Sequence, residues 1–410
     1  MSSEKSMQEI YKSYVATGSV KKFMTDIKAQ GIQENDPRIS QIAELIKEKE
    51  PKDKKMDYET FARRTTPCCG IMRKFSERQF VIPNFEKFVK AIEEIYWNCK
   101  SNTAGSNASY IPQLANVADH WGVSVCTVDG QRFSIGDTEV GFSIQSCSKP
   151  LTYALACEYL SPEVVHKFVG QEPSGRMFNE MVLDHNNQPH NPMINAGAIV
   201  TASLVYTLID GKRSMAEKFD MVKTMMESAG GNERFGFDNS IYHSEKEAAD
   251  RNFALGYFMK EKKVFPAKTN MLESLDFYFQ LCSIVTSANT FSVVGATLAN
   301  GGVCPLTDEK VFKVETCRDV LSLMHSCGLY NYSGQFAFNV GLPAKSGVSG
   351  IIMLIIPNLA GIVCYSPKLD DFGNSVRGVQ FCEELLKTYA IHPYDNLRHT
   401  ITRRSIYEEK

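Results

Sequence analysis

At 410 residues, with 43% hydrophobic and 22% charged side chains, the chain has a globular composition and the length of about two to three domains. Its 27 glycines, 16 prolines and 12 cysteines exclude collagen-like, low-complexity and disulfide-scaffold classes. Forty-five basic against 47 acidic residues leave a net charge of −2, so no overall field draws in nucleic acid or an anionic membrane.

The first hundred residues predict helices only, with apolar positions at helical spacing clearest in Phe85, Phe88, Val89, Ile92, Ile95 and Tyr96. Asp36-Pro37 opens a helix, while Gly18 and Gly31 read as helix stops. Residues 1–100 are therefore an all-helical domain, and the small, polar stretch 101–108 is a linker. From Trp121 the pattern turns to strands, with Asp129-Gly130 between two β-rich runs as a hairpin signal. Helical patterns dominate between Gln145 and Leu329, including Asn195–Leu208 and Leu272–Leu281. Ile351–Tyr365 is broken by Pro357, Asn358 and Gly361 and is shorter than the roughly 18–20 residues of a membrane span, so it predicts two buried strands. Strands at both ends of a helical middle give an α+β domain over 109–392, and the polar stretch in 393–410 predicts a mobile tail.

The twelve cysteines scatter singly apart from Cys68-Cys69, which points to reduced, intracellular thiols. Neither cysteines nor histidines fall at metal-ligand spacing, so no metal is expected. The first residues carry neither a secretory signal nor an organelle presequence pattern.

The chemistry concentrates at Ser146-Cys-Ser-Lys149-Pro150, followed by a run of helix formers. Proline is tolerated in a helix's first turn, which puts Ser146 at the helix N-terminus with Lys149 on the same side. A buried lysine of depressed pKa takes a serine proton, and the free N–H groups of a helix end stabilise an oxyanion. Ser-x-x-Lys alone is a weak signal. Lys345-Ser346-Gly347, just before the carboxy-terminal strand pair, stands where serine penicillin-recognising enzymes carry Lys-Thr-Gly, and Tyr330-Asn-Tyr upstream supplies a phenol.

Longer strings carry a resemblance: Tyr110-Ile-Pro-Gln-Leu-Ala, Trp121-Gly-Val-Ser-Val-Cys-Thr-Val-Asp-Gly-Gln-Arg, Gln145-Ser-Cys-Ser-Lys-Pro, His190-Asn-Pro-Met-Ile-Asn-Ala-Gly-Ala-Ile, Asp250-Arg-Asn-Phe-Ala and Gly341-Leu-Pro-Ala-Lys-Ser-Gly-Val. Together they resemble the phosphate-activated glutaminases of the eukaryotic kidney and liver type, over nearly all of residues 80–400. The resemblance implies an amino-terminal helical domain followed by a β-lactamase/DD-peptidase-like domain, an antiparallel sheet with a helical cluster. It implies hydrolysis of L-glutamine to L-glutamate and ammonia, with Ser146 as nucleophile, Lys149 as general base, and Tyr330 and Tyr278 assisting proton transfer. Ser146 and Val348 backbone N–H groups would form the oxyanion hole, and Tyr110, Gln145, Asn195, Glu245, Asn252 and Val348 would line the glutamine pocket. No cofactor is implied beyond inorganic phosphate as an activator; the partners are copies of the same chain, as dimers, tetramers or filaments, with no nucleic acid and no membrane. A regulatory loop would fall within Gly175–Gln188, where Phe178, Asn179, Met181 and Val182 stand and where Met181 and Val182 depart from the family's Leu and Phe. A mitochondrial address is implied, with the cytoplasm as the alternative.

Each residue also has a plainer reading. Tyr278 and Tyr330 are candidate core phenols, Glu245 lies in a mixed charge run typical of a solvated helix face, and Asn195 and Asn252 suit helix caps. A cysteine amidotransferase using Cys147, a lactam or peptide hydrolase of the same fold, and an inactive scaffold stay open.

Overall fold

The computed structural model describes residues 7–17, 20–47, 57–177, 179–209, 212–395 and 403–407. Phe178 and Gly18 lie outside the described residues. Two sheets organise the chain beyond Trp121. Strands β1 (Gly122–Thr127), β2 (Arg132–Gly136), β6 (Ala344–Gly347), β7 (Ile351–Ile356) and β8 (Ala360–Tyr365) form a five-stranded antiparallel sheet in the order β2-β1-β8-β7-β6. The short strands β3 (Phe142–Ser143), β4 (Gly236–Phe237) and β5 (Ile284–Thr286) form a second sheet, β3-β5-β4, which the alternation pattern did not predict.

Both hairpins read from the sequence are present. Val125 pairs with Phe133 across the first, and Leu354 with Ile362 across the second, where Asn358 takes the left-handed conformation that the turn requires. Every residue of β7 and β8 is buried because the sheet is covered on both faces. Ile351, Met353 and Ile355 enter the core shared with the helical cluster, while Ile352, Leu354 and Ile356 meet the helices Phe85–Lys100 and Val376–Thr388 on the other side. A continuous apolar run is the signature of such a strand.

Phe85–Lys100, grouped by sequence with the amino-terminal helices, packs instead in this second core beside Trp121 and Phe381. The separate amino-terminal core runs from Met7 to Phe80 and gathers Phe23, Ile27, Ile39, Phe61 and Phe75. It docks on the first hairpin turn: Lys74 pairs with Asp129, Arg132 N donates to Gly31 O (2.8 Å), and Gln131 Nε2 donates to Gln30 O (2.8 Å) and Ile82 O (3.0 Å). The hairpin turn is thus buried, with Asp129 only 5% exposed. Gly31 follows the helix Val20–Ala29 in a left-handed conformation, as expected of a helix stop. Of the predicted tail, residues 396–402 and 408–410 lie outside the described residues; in 403–407, Ala390 N donates to Arg404 O, Arg403 pairs with Asp395, and Ile406 is buried in the second core.

The helix Ala288–Ala299 lies on β8 at a glycine-to-glycine crossing. A Cβ on Gly361 would come within 2.3 Å of Ala296 N and Gly295 C. Gly361→Ala should therefore force helix and sheet apart and destabilise the fold by about 2–4 kcal/mol, measured by urea unfolding; an unchanged midpoint would show that the crossing yields at no cost.

Candidate active site

The site is assembled where the turn before a buried helix meets an edge strand. Gln145–Cys147 forms a 3-10 turn, and the helix Ser148–Leu160 continues from it, so Ser146 sits one turn ahead of the helix rather than within it. Side chains three apart eclipse in a 3-10 turn. Lys149 Nζ accordingly lies 2.6 Å from Ser146 Oγ, hydrogen-bonded to it, with both residues buried. Pro150 falls in the first helical turn, as the sequence reading required.

Two side chains here sit on strained backbone. Gln145 has φ +46° and Tyr330 φ +52°, a region that residues other than glycine rarely enter and that concentrates at functional sites. At Gln145 the left-handed kink turns the chain from β3 into the Ser146 turn, and Gln145 Nε2 donates to Ser143 Oγ (3.2 Å) and Glu245 Oε1 (2.9 Å). At Tyr330 it opens a short 3-10 turn, which Ser333 Oγ secures by donating to Tyr330 O (2.7 Å). The Tyr330 hydroxyl donates to Ser346 O (3.3 Å).

Glu245 is not on a solvated face. It is 9% exposed, and its Oε1 accepts from the Tyr110 hydroxyl (2.7 Å) as well as from Gln145, while the next residue, Lys246, pairs outward with Asp276 (2.5 Å). Tyr110 is 48% exposed as a residue, so its ring stands at the rim while its hydroxyl reaches inward. Tyr278, 6% exposed, carries its ring 5.6 Å from Lys149 Nζ and its hydroxyl 3.5 Å from Asn195 Oδ1. Asn195 Nδ2 in turn donates to Asn252 Oδ1 (3.2 Å). Neither asparagine caps its helix, since Ile194 and Ala249 hold those positions, so both amides are left for the site. Val348, just past β6, packs beside Ile111, Leu114 and Ile241, which ties the Tyr110 segment to the Glu245 helix.

Burial sets the ionisation of these groups. It holds the Lys149 amine below its ordinary range, with nearby Cys282, Cys147 and Glu245 opposing. It raises the Glu245 carboxyl despite the Tyr110 and Gln145 hydrogen bonds, and raises the Tyr110, Tyr278 and Tyr330 phenols. Cys147 is also pushed up, to about 12, by burial, and its thiol donates to Lys345 O (3.3 Å). A thiol so placed is a poor nucleophile, which counts against the cysteine reading.

A cavity of about 450 Å³ adjoins Tyr330 and Asn331, walled by Gly175, Met177 and Glu180 of the candidate regulatory loop. Met181 of that loop is 47% exposed, and Asn179 and Val182 are half-buried. Sequence reasoning gave no role to Ser143, which accepts from Gln145, because it lies on β3 in the small sheet that periodicity missed. No group of metal-ligating side chains occurs among the described residues.

The family model for glutaminase matches residues 105–394, and a model described as an EF-hand domain matches residues 6–83. The mouse (Mus musculus) liver isoform of glutaminase, a mitochondrial protein by name, is 49% identical over 385 residues, 93% of this chain and 63% of that one. A putative glutaminase of Caenorhabditis elegans is 47% identical over 407 residues, covering 97% and 69% of the two chains. Among solved structures, a probable glutaminase superposes with a TM-score of 0.69 at 34% identity, over 74% of this chain and 96% of that one. Mglu in its glutamate form superposes with a TM-score of 0.67 at 35% identity, over 74% and 68%. This chain thus spans under two thirds of its mouse relative's length.

Burial raises the Glu245 carboxyl, so its ionised form weakens the folded state above the ordinary carboxylate pKa of about 4, and that loss is absent below it. Glu245→Gln keeps an acceptor for Tyr110 and Gln145 without the charge. The ligand-free variant should be more stable than the parent at pH 7 and equal to it below about pH 4, by urea unfolding at both pH values; equal stability at pH 7 would contradict the burial argument. Sequence strings, fold and site geometry converge with these matches, and the chain belongs to the glutaminase family.

Proposed function

We propose that the protein hydrolyses L-glutamine to L-glutamate and ammonia through an acyl-enzyme on Ser146. The observation that carries this reading is the buried Lys149 amine 2.6 Å from Ser146 Oγ in a glutaminase-family chain. Ser146 Oγ attacks the side-chain amide carbonyl of glutamine while its proton passes to Lys149 Nζ, which burial keeps basic but uncharged enough to accept it. Backbone N–H groups of Ser146 and Val348 receive the oxyanion, aided by the adjoining helix N-terminus. The C–N bond then breaks, and the leaving nitrogen takes the proton from Lys149, with Tyr330 and Tyr278 relaying it. Water attacks the acyl ester, Lys149 takes that proton in turn, and glutamate leaves with Ser146 restored.

Specificity follows from the polar groups already placed. Glu245 Oε1 is occupied by Tyr110 and Gln145, which leaves Oε2 for the substrate ammonium, while Asn195 and Asn252 supply amide donors for its carboxylate. An amide lacking the α-groups leaves these buried groups unpaired and is rejected. Ser146→Ala and Lys149→Met should each lower kcat at least about 10³-fold with the fold intact, read as ammonia and glutamate released in equal amounts. Normal turnover by either variant would refute the serine-lysine pairing. Inertness to glutamine together with turnover of nitrocefin would favour a lactam hydrolase instead.

We extend three further family properties to this chain. Phosphate serves as an activator, copies assemble into dimers, tetramers or filaments, and the segment Gly175–Gln188 beside the Tyr330 cavity acts as the regulatory loop. The mitochondrial address carried by the mouse relative's name is assigned on the same basis. About 0.1 M phosphate should raise both turnover and sedimenting mass, since a ligand favouring the assembled form stabilises it by mass action. Activation without a change in mass would remove assembly as its cause.

A further inference from the structure

Tyr110 keeps its place with little help from packing. The residue is 48% exposed, so its ring meets solvent, yet its hydroxyl sits 2.7 Å from Glu245 Oε1. A side chain so thinly covered holds a hydrogen bond of that length only when its backbone is fixed. The structure fixes that backbone from two sides.

One side chain closes the Tyr110 segment across its base. Asn107 Nδ2 donates to Val117 O (2.8 Å) and to Ala115 O (3.3 Å), and an amide nitrogen has an N–H for each. Ala115 ends the short helix Pro112–Ala115, so its carbonyl is one of those that a helix end leaves unpaired. Next to Asn107, Ser106 N donates to Leu369 O (3.1 Å) and Leu369 N to Ser106 O (2.9 Å), which anchors the start of the loop to the chain after β8. At its far side Gln113 Nε2 donates to Ser240 O (3.3 Å), and Ile111 and Leu114 share an apolar cluster with Ile241. The loop is thereby seated on the helix Asn239–Glu247, which carries Glu245. Composition marks Asn107 only as part of a small, polar stretch. In the fold it is the clasp of the loop that presents Tyr110.

We propose that Asn107 is a positioning residue for Tyr110: by clasping residues 107–117 into a closed loop it keeps the phenol on Glu245 Oε1, and so holds the carboxylate in one orientation with Oε2 left for the substrate ammonium. This rests on the glutamine-hydrolysis reading. An unclasped loop spreads the phenol over many positions and costs Glu245 a charge-assisted hydrogen bond. Glu245 binds substrate and takes no part in breaking the amide, so the loss falls on KM rather than on kcat.

A double-mutant cycle separates this role from the plain capping of a helix end. Asn107→Ala, Tyr110→Phe and the double variant would be assayed for ammonia release from glutamine with kcat and KM resolved, and thermal melts would confirm folding. Phe keeps the ring and removes only the hydroxyl. Asn107→Ala should raise KM about 5- to 30-fold with kcat within about threefold, and should add nothing in the Tyr110→Phe background. A residue that served only as a cap would lower the Tm and leave KM alone. An unchanged KM, a loss confined to kcat, or losses that multiply in the double variant would each overturn the proposal. Hydrogen exchange reads the clasp without turnover: backbone amides within residues 108–116 should exchange at least about tenfold faster in Asn107→Ala than in the parent, and equal exchange would overturn the proposal. Asn107→Asp, which keeps the shape and loses both N–H donors, provides the same cycle if the Ala variant does not fold. Failure of the hydrolysis reading is visible separately, as a parent protein that releases no ammonia, and it would take this proposal with it.

Discussion

The site depends on the contact between the left-handed turn at Gln145 and the free edge of strand β6. An edge strand exposes unpaired backbone groups, and here the Ser146 turn covers them: Cys147 donates to Lys345 O, and a Cβ at Gly347 would stand 3.1 Å from Ile144 O. Side chains alternate along a strand, so fixing this edge directs Lys345 and the Ser346 carbonyl toward Tyr330 and Ser146. The backbone strain at Gln145 and Tyr330 persists because the surrounding polar contacts, from Ser143, Glu245 and Ser333, hold each residue in place.

The second constraint is desolvation. Lys149, Lys345, Glu245 and three phenols share a buried region in which none of the charged forms is well solvated. Burial alone holds the Lys149 amine below its ordinary range, against the opposing pull of Cys282, Cys147 and Glu245. The same burial makes the ligand-free site costly, and the large two-faced sheet with its apolar strands β7 and β8 offsets that cost. Fold and site are linked through the sheet: the helices Phe85–Lys100 and Val376–Thr388 press on one face, and the opposite face meets the core that holds Cys147 and Tyr278 of the candidate site.

The amino-terminal helices do not contribute a side chain to the described site. They bury the Asp129-Gly130 turn at the far end of the first hairpin, through Lys74, Gln30 and Gly31. A turn of this type ordinarily faces solvent. Its burial joins the helical unit to the five-stranded sheet through hydrogen bonds and an ion pair.

By itself, the sequence determined what local rules govern. Strong periodicity located the helices Asn195–Leu208 and Phe85–Lys100, Asp-Gly marked the first hairpin, and the apolar run from Ile351 marked two buried strands. Pro150 fixed the start of the Ser148 helix, and with it the three-residue spacing that joins Ser146 to Lys149. Only tertiary structure decided the rest. Two-residue strands such as β3 and β4 are too short to show a period, so the second sheet left no pattern to read. Glu245 sits in a charge run indistinguishable from a surface helix until Tyr110, 135 residues away, donates to it. Phe85–Lys100 has an apolar stripe that would suit either core, and nothing local says which surface it will cover. Lys345 looks like any lysine in a strand until the edge of β6 closes against the Ser146 turn. Local sequence sets which backbone shapes are cheap, whereas burial and ionisation depend on neighbours that are distant along the chain and meet only when it folds.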